Sequence, residues 1–141
     1  MMTTRFAAAL IALVILLVSC AQPAESAPSD SQVVVELADS KITVAVPSVK
    51  AGKVKIGVRN LGTMEHSFEV LKTDLAPDKL PVDGASAKAR EDGKVGEIKS
   101  IAAGKSAALT VDLTPGKYVF ICNVAGHYQI GMHTGFTVDA P

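Results

Sequence analysis

Residues 122–133 bring together three side chains of the kind that bind soft metal ions. Cys122, His127 and Met132 follow one another at the spacing C-x4-H-x4-M, so one loop offers a thiolate, an imidazole and a thioether. A loop of this length can wrap three ligands around one ion. A fourth ligand should come from a different part of the chain, and His66 stands at the start of a predicted strand. The spacing therefore predicts one mononuclear metal site with these four ligands.

The types of these ligands favour copper over the other common metals. Two imidazoles and a thiolate in a trigonal arrangement, with a weak axial thioether, describe a blue-copper electron-transfer site. Structural zinc sites use four Cys or His ligands, catalytic zinc sites keep a position open for water, and iron–sulfur clusters need more than one thiolate. We expect one type 1 copper ion, with Cys122 bound as thiolate and both histidines as neutral imidazoles.

Two neighbouring residues compete for a ligand role. The side chain of His133 should point away from that of Met132 if a strand begins there, and Met64 is expected to pack in a loop beside the site. A copper oxidase or nitrite reductase needs further histidines for its additional copper centres, and only His133 is spare among the three in the chain. The sequence therefore predicts that the protein is not an enzyme. A copper-binding or copper-delivery protein without redox function is the alternative.

From residue 32 onward the hydrophobic pattern has a period of two. Val54, Ile56 and Val58 alternate with charged or small residues, which is typical of a strand with one buried face. Comparable runs occupy residues 32–37, 41–46, 66–71, 106–113, 116–123 and 134–139. Seven or eight short strands separated by turn residues predict an all-β fold, an antiparallel β-sandwich of Greek-key type. This domain is expected to span residues 32–141.

The stretch 73–96 interrupts this rhythm. It contains two prolines, several glycines and many charged residues, and Ala85–Glu91 can form one or two helical turns. We expect a long surface insertion between strands, with its Lys and Glu side chains in solvent.

The N-terminus resembles an export signal. Phe6–Val18 is a run of thirteen apolar residues that follows Arg5. A run of this length suits the apolar part of a signal peptide and is too short to cross a bilayer as a helix. Ser19 and Cys20 come next, and this ending resembles the bacterial lipobox, in which the cysteine is acylated and becomes the first mature residue.

The resemblance predicts a lipoprotein signal peptide over residues 1–19. Cys20 would carry the lipid, and residues 21–31, rich in Pro, Ser and Ala, would form a disordered tether. The protein would then be exported and anchored on the periplasmic or extracellular face of a membrane. Two alternatives are an ordinary signal peptide cut near Ala21 or Ala27, and a disulfide between Cys20 and Cys122.

The charge balance excludes nucleic acid as the expected partner. After residue 20 the chain has 13 basic and 14 acidic residues, because Arg5 is the only charged residue before that point. No basic excess is available to neutralise phosphates. The chain has no Trp and only six other aromatic residues, so stacking platforms for single strands are not expected either.

Residues 32–139 resemble a cupredoxin, the type 1 blue copper fold, of the rusticyanin, auracyanin and sulfocyanin kind. One segment that carries the resemblance is Asn60–Phe68, which is similar to the strand that bears the first ligand in that family. The other is the motif Tyr118-x-Phe120-x-Cys122-Asn123-x-x-Gly126-His127-x-x-x-Gly131-Met132.

The resemblance implies a monomer that carries one electron between larger redox proteins, such as cytochromes, oxidases or other respiratory or photosynthetic complexes. It implies that His127 lies nearest the surface, inside a ring of apolar residues such as Val124, Ala125 and Ile130. In many cupredoxins Asn follows the first His ligand and ties the two ligand loops together. Here the residue is Ser67, so that link should be shorter or absent, and Asn123 is expected to bond backbone groups across the loops.

Overall fold

The computed structural model describes residues 23–141 and folds them into two packed β-sheets. The predicted signal peptide and Cys20 lie outside the described residues. The described part has eleven strands: β1 (Val33–Ala38), β2 (Lys41–Val44), β3 (Ser48–Lys50), β4 (Gly52–Asn60), β5 (His66–Lys72), β6 (Val82–Asp83), β7 (Lys88–Ala89), β8 (Lys94–Ile101), β9 (Ser106–Leu113), β10 (Gly116–Ile121) and β11 (His133–Asp139).

One sheet has the strand order β2-β1-β4-β9, and the other has the order β3-β11-β10-β5-β8. The predicted all-β sandwich is thereby confirmed. Its ladders are not all antiparallel, because β1 pairs with β4 and β3 pairs with β11 in parallel. Alternation of apolar residues predicts a strand with one buried face but does not reveal its direction, so the sequence pattern could not show these two pairings.

The core lies between the two sheets and follows the alternation predicted from the sequence. Val54, Ile56 and Val58 of β4 are buried in it. On the facing sheet the ring of Phe120 lies 5.2 Å from that of Phe68 and stacks on that of Phe136 at 4.8 Å. These aromatic contacts join β5, β10 and β11, the three strands that carry or flank the candidate ligands.

Strand β8 was missed by the sequence pattern, and it begins inside the predicted insertion. It pairs with β5 at the edge of its sheet, and Ile101 is its only fully buried residue. Edge strands tolerate exposed Lys and Glu, which also discourage pairing with other chains. A strand of this composition therefore lacks the apolar alternation by which strands are recognised.

Most residues of the insertion are exposed, as expected, but Leu80 and Ala89 are buried against the domain. The expected helical turns at Ala85–Glu91 are absent, and the short hairpin β6–β7 occupies this stretch. A second buried cluster joins the insertion to the outer face of the five-stranded sheet. Its members are Leu71, Leu80, Ala89, Val119, Ile121 and Tyr128. The phenol of Tyr128 accepts a hydrogen bond from the Leu80 amide at 2.9 Å and donates one to the Pro77 carbonyl at 2.8 Å.

The described part of the predicted tether also contacts the domain. The Glu25 amide donates to the Gly104 carbonyl at 2.8 Å, and Lys55 pairs with Asp30 at 2.7 Å. Residues 25–31 lie over the outer face of β4, where Gly57 has no side chain. A Cβ at Gly57 would overlap the Ser31 hydroxyl and lie 3.3 Å from the Ala27 Cβ. The expectation of disorder is therefore wrong for this stretch.

Residues 23–141 contain no helix of the length and hydropathy needed to cross a membrane.

Candidate metal centre

Three donor atoms converge at one end of the sandwich. His66 begins β5, and Cys122 directly follows β10, the strand paired with β5. The Nδ1 atoms of His66 and His127 lie 3.1 Å apart, and the Cys122 Sγ lies 3.7 Å from the first and 3.5 Å from the second. Among the described residues, this is the one group of three His, Cys or acidic side chains whose donor atoms lie close enough to share an ion.

The ligand loop is closed by its own backbone hydrogen bonds. The amide of Cys122 donates to the carbonyl of Met132 at 3.0 Å, and the amide of Met132 donates to the carbonyl of His127 at 3.1 Å. Gly126 and Gly131 adopt φ values of 83° and 112°, which side chains with a Cβ strongly disfavour. The loop thus brings the backbone of Met132 into contact with the backbones of the candidate ligands Cys122 and His127, and the Met132 side chain is fully buried.

Asp39 orients the imidazole of His66. The carboxylate lies 3.3 Å from the His66 Nε2, so an Nε2–H donates to it and Nδ1 is left with a lone pair that faces Cys122 and His127. Burial lowers the pKa of His66. The hydrogen bond to Asp39 opposes this change, and the nearby His127 adds to it. A neutral imidazole with Nδ1 free is the form that binds a metal ion.

Asp39 is itself held in place, and the sequence analysis missed its role. Its carboxylate accepts hydrogen bonds from the amide and the hydroxyl of Thr63, both at 2.8 Å. Gly62 makes room for this contact, since a Cβ there would overlap the Asp39 carboxylate and lie 2.9 Å from the His66 Nε2. In sequence, Asp39 is an ordinary turn residue between β1 and β2, so nothing local marks it as a partner of a residue 27 positions away.

The environment of Cys122 suits a thiolate only when a cation is bound. Burial raises the pKa of the Cys122 thiol, while the amides of Val124 and Ser67 and the Ser67 hydroxyl oppose the rise. The Ser67 amide points at the sulfur from 3.4 Å. With a metal ion among the donors, the buried thiolate gains a counter-charge and keeps its hydrogen bonds. The donor set and its surroundings therefore fit a soft, imidazole-binding metal ion.

Ser67 provides the link between ligand loops that was expected to be short or absent. Its hydroxyl accepts a hydrogen bond from the Asn123 amide at 2.9 Å, so β5 and the ligand loop are joined directly behind the sulfur. The side chain of Asn123 bonds elsewhere than expected. It bonds both backbone groups of Ala89, at 2.8 and 3.0 Å, and the Glu91 carboxylate at 2.8 Å. Asn123 therefore ties the ligand loop to the insertion.

The remaining candidate residues lie around the cluster. His127 is half-buried, and the loops beside it expose the large apolar side chains of Leu61, Met64 and Ile130, each more than 40% accessible. His133 lies outside the donor cluster, with its ring 5.0 Å from that of Tyr128. The structure therefore separates His133 from the three converging donors.

A polar cavity of about 270 Å³ lies behind the cluster. It is lined by Glu69 together with Ser67, Asn123, Glu91 and Glu97, among others. Glu69 is only 4% exposed, and its Oε2 has no hydrogen-bond partner among the described residues. Burial raises the pKa of Glu69 from its ordinary value of 4.5 to about 7, the charge of Glu91 adds to the rise, and the Ser67 hydroxyl opposes it.

Comparison with known proteins shows which family and which solved structures this chain resembles. The sequence profile of the cupredoxin-like domain family matches residues 9–134. Reduced auracyanin from Roseiflexus castenholzii superposes with a TM-score of 0.53 at 21% identity, over 77% of this chain and 98% of that one. Auracyanin A from Chloroflexus aurantiacus, described as a "blue" copper protein, gives 0.52 at 19% identity, over 75% and 98%. Rusticyanin from Thiobacillus ferrooxidans superposes with a TM-score of 0.51 at 19% identity, over 75% of this chain and 76% of that one. Comparison with curated proteins found no significant match.

The raised pKa of Glu69 predicts how stability changes with pH. Between pH 4.5 and about 7 the folded state holds a proton on Glu69 that the unfolded state has lost, so the free energy of unfolding falls as the pH rises through this window. Glu69→Gln removes the titration and should flatten that part of the profile, with a gain on the order of 3 kcal/mol above pH 7. Urea unfolding in the presence of a chelator, at pH values from 4 to about 8, measures this effect.

The control is Asp112→Asn, which removes an exposed carboxylate from β9. It should leave the pH profile as in the unchanged protein. Equal profiles for Glu69→Gln and Asp112→Asn would show that Glu69 is not protonated in the folded state near neutral pH.

Proposed function

The chain belongs to the family of cupredoxin-like domains, and we propose that it carries electrons by means of one type 1 copper ion. The observation that carries the proposal is the convergence of one buried thiol and two imidazole Nδ1 atoms, at mutual distances of 3.1–3.7 Å. One thiolate with two imidazoles is the ligand set of a blue-copper site. The folds of auracyanin and rusticyanin are similar to this one, which agrees with that assignment.

His66, Cys122, His127 and Met132 are the proposed ligands. A bound copper ion supplies one-electron Cu(II)/Cu(I) chemistry. The chain contributes a fixed arrangement of donors: Asp39 orients one imidazole, and the backbone bonds of the ligand loop fix the other ligands. Held in this way, the donors are not free to adopt the geometry that either oxidation state prefers, so little rearrangement accompanies electron transfer.

The surface around His127 is the proposed site of electron exchange. This imidazole is the most accessible of the four ligands, and exposed apolar residues surround it. A small apolar patch suits brief docking with a larger redox protein, because a limited interface separates quickly. Cytochromes, oxidases and other respiratory or photosynthetic complexes are partners of this kind. We propose that the protein acts as a monomer.

We propose an electron carrier and not an enzyme. The third histidine of the chain, His133, packs on Tyr128 away from the donor cluster, so a second copper centre would lack imidazole ligands. The full burial of His66, Cys122 and Met132 also favours retention of the ion over its delivery to another protein. A copper-delivery role is therefore the weaker of the two copper functions.

Cys122→Ser tests the copper assignment. The change removes the only thiolate among the proposed ligands, so the Cu(II)-loaded variant should lose the intense thiolate-to-copper absorption in the visible region. The sandwich core does not include the ion, and the variant should keep its strand content by circular dichroism. Full visible absorption in the variant would contradict the proposed site.

Met132 variants test the axial ligand. Gln offers a harder oxygen donor that favours Cu(II), so Met132→Gln should lower the reduction potential and keep most of the visible absorption. Met132→Leu leaves no axial donor and should raise the potential. Because a one-electron couple shifts by about 59 mV for each tenfold change in equilibrium constant, voltammetry resolves small effects. Were His133 the axial ligand instead, only His133→Ala would shift the potential.

We also propose that the mature protein is a lipoprotein, exported and held at a membrane surface through Cys20. The support is the apolar run before Ser19-Cys20 in the sequence. The native protein should partition into the detergent phase, and mass spectrometry of its N-terminal peptide should show acyl chains on Cys20. Cys20→Ala should release the protein into the soluble fraction or block its processing. An unmodified mature N-terminus beyond residue 20 would contradict the anchor.

A further inference from the structure

The chain enters the domain at a fixed point. Both backbone groups of Glu25 are hydrogen-bonded: its amide donates to the Gly104 carbonyl at 2.8 Å, and its carbonyl accepts from the Ser106 hydroxyl at 2.7 Å. The Arg59 Nε donates to the same carbonyl at 3.3 Å. From there the chain passes over Gly57 to the Asp30–Lys55 ion pair. We call residues 25–31 the N-terminal clasp.

The clasp begins at the metal-binding end of the sandwich. The Gly104 amide donates to the Asn60 carbonyl at 3.0 Å. The Asn60 side chain in turn donates to the carbonyls of Met64 and Ile101, at 2.7 and 2.8 Å. Ile101 pairs with His66, the first proposed ligand. Glu25 is therefore attached to the loops that surround the donor cluster, and not to the opposite end of the strands.

The length of chain before Glu25 limits how far this end can lie from an anchor. If Cys20 carries the lipid, as proposed above, only four residues lie between the anchor and Glu25, which makes five Cα–Cα steps. Five such steps reach at most about 18 Å when the chain is fully extended. The opposite end of the sandwich lies farther from Glu25 by the length of β4. Nine residues at the rise of a strand make this length about 30 Å. The anchor thus lies close to the metal-binding end.

We propose that the N-terminal clasp holds the metal-binding end of the domain beside the bilayer, so that the surface around His127 serves a redox partner embedded in the same membrane. A gap of about 18 Å is narrower than a small soluble domain, which is about 30 Å across. The exposed Leu61, Met64 and Ile130 belong to this end. The inference rests on the lipid anchor proposed above.

The test measures the distance between the copper ion and the lipid headgroups. The native lipoprotein, loaded with Cu(II), is reconstituted in vesicles of phosphatidylcholine and phosphatidylglycerol that carry a headgroup fluorophore emitting within the visible copper band. The oxidised protein should quench the fluorophore, and reduction of the copper, which bleaches the band, should restore the emission. This reversal separates energy transfer to copper from other causes of quenching.

A first variant lengthens the tether and leaves every described residue unchanged. Twelve Gly and Ser residues inserted between Ala21 and Gln22 raise the average reach between Cys20 and Glu25 from about 12 Å to about 23 Å. The redox-sensitive quenching should fall by about half or more. The matched control adds the same twelve residues after Pro141, and its quenching should equal that of the unchanged protein.

A second variant opens the clasp itself. Glu25→Pro combined with Ser106→Ala removes the amide and the hydroxyl that hold Glu25, and should weaken the quenching in the same direction. Glu25→Ala keeps both backbone groups of residue 25 and loses only the long contact of the carboxylate with the Ser106 amide, at 3.4 Å, so its quenching should stay close to that of the unchanged protein.

Three results would overturn the inference. If the lipidated protein shows no redox-sensitive quenching, the inference about the orientation of the domain is wrong, while the electron-transfer proposal is unaffected. Equal quenching by the native protein and the lengthened variant would lead to the same conclusion. An N-terminal peptide without acyl chains on Cys20 would overturn the inference together with the proposed anchor.

Discussion

The site depends on a single buried sulfur. Cys122 is enclosed at the end of β10, where burial raises the pKa of its thiol, and the two imidazole Nδ1 atoms stand within 3.7 Å of it. Without a cation the group is stable as a neutral thiol, and with one it becomes a thiolate that bonds strongly to the ion. The groups around the sulfur are arranged to favour its thiolate form beside a bound cation. The Ser67 amide donates to the sulfur, and Asp39 keeps the His66 lone pair directed at it.

An electron carrier benefits from donors that do not move, and the structure fixes them by contacts between segments far apart in sequence. Ser67 joins β5 to the ligand loop, and Asp39 joins the turn after β1 to His66. Asn123 joins the ligand loop to Ala89 of the insertion. These contacts restrain His66 and the segment that begins at Cys122 from outside, as neighbours of metal ligands commonly do. The rigidity is therefore a property of the whole end of the sandwich.

Two segments with the composition of surface loops prove to be structural. The insertion buries Leu80 against Tyr128 of the ligand loop, so it supports the loop that carries three of the proposed ligands. The N-terminal clasp fixes where the chain leaves the domain, and thereby which end lies near the proposed anchor. Both segments are rich in polar residues and proline because they cover outer faces of the sheets. Composition alone could not distinguish them from unattached loops.

The sequence by itself determined the all-β class, the seven apolar strands and the three donor types within the ligand loop. These features are local: period-two alternation and a ten-residue spacing are visible in a short window. Only the tertiary structure decided the parallel pairings, the edge strand β8 and the roles of Asp39 and Asn123. Their partners lie tens of residues away. A hydrogen bond between distant residues leaves no periodicity in the chain, so it becomes visible only when the sheets bring both partners to the same end.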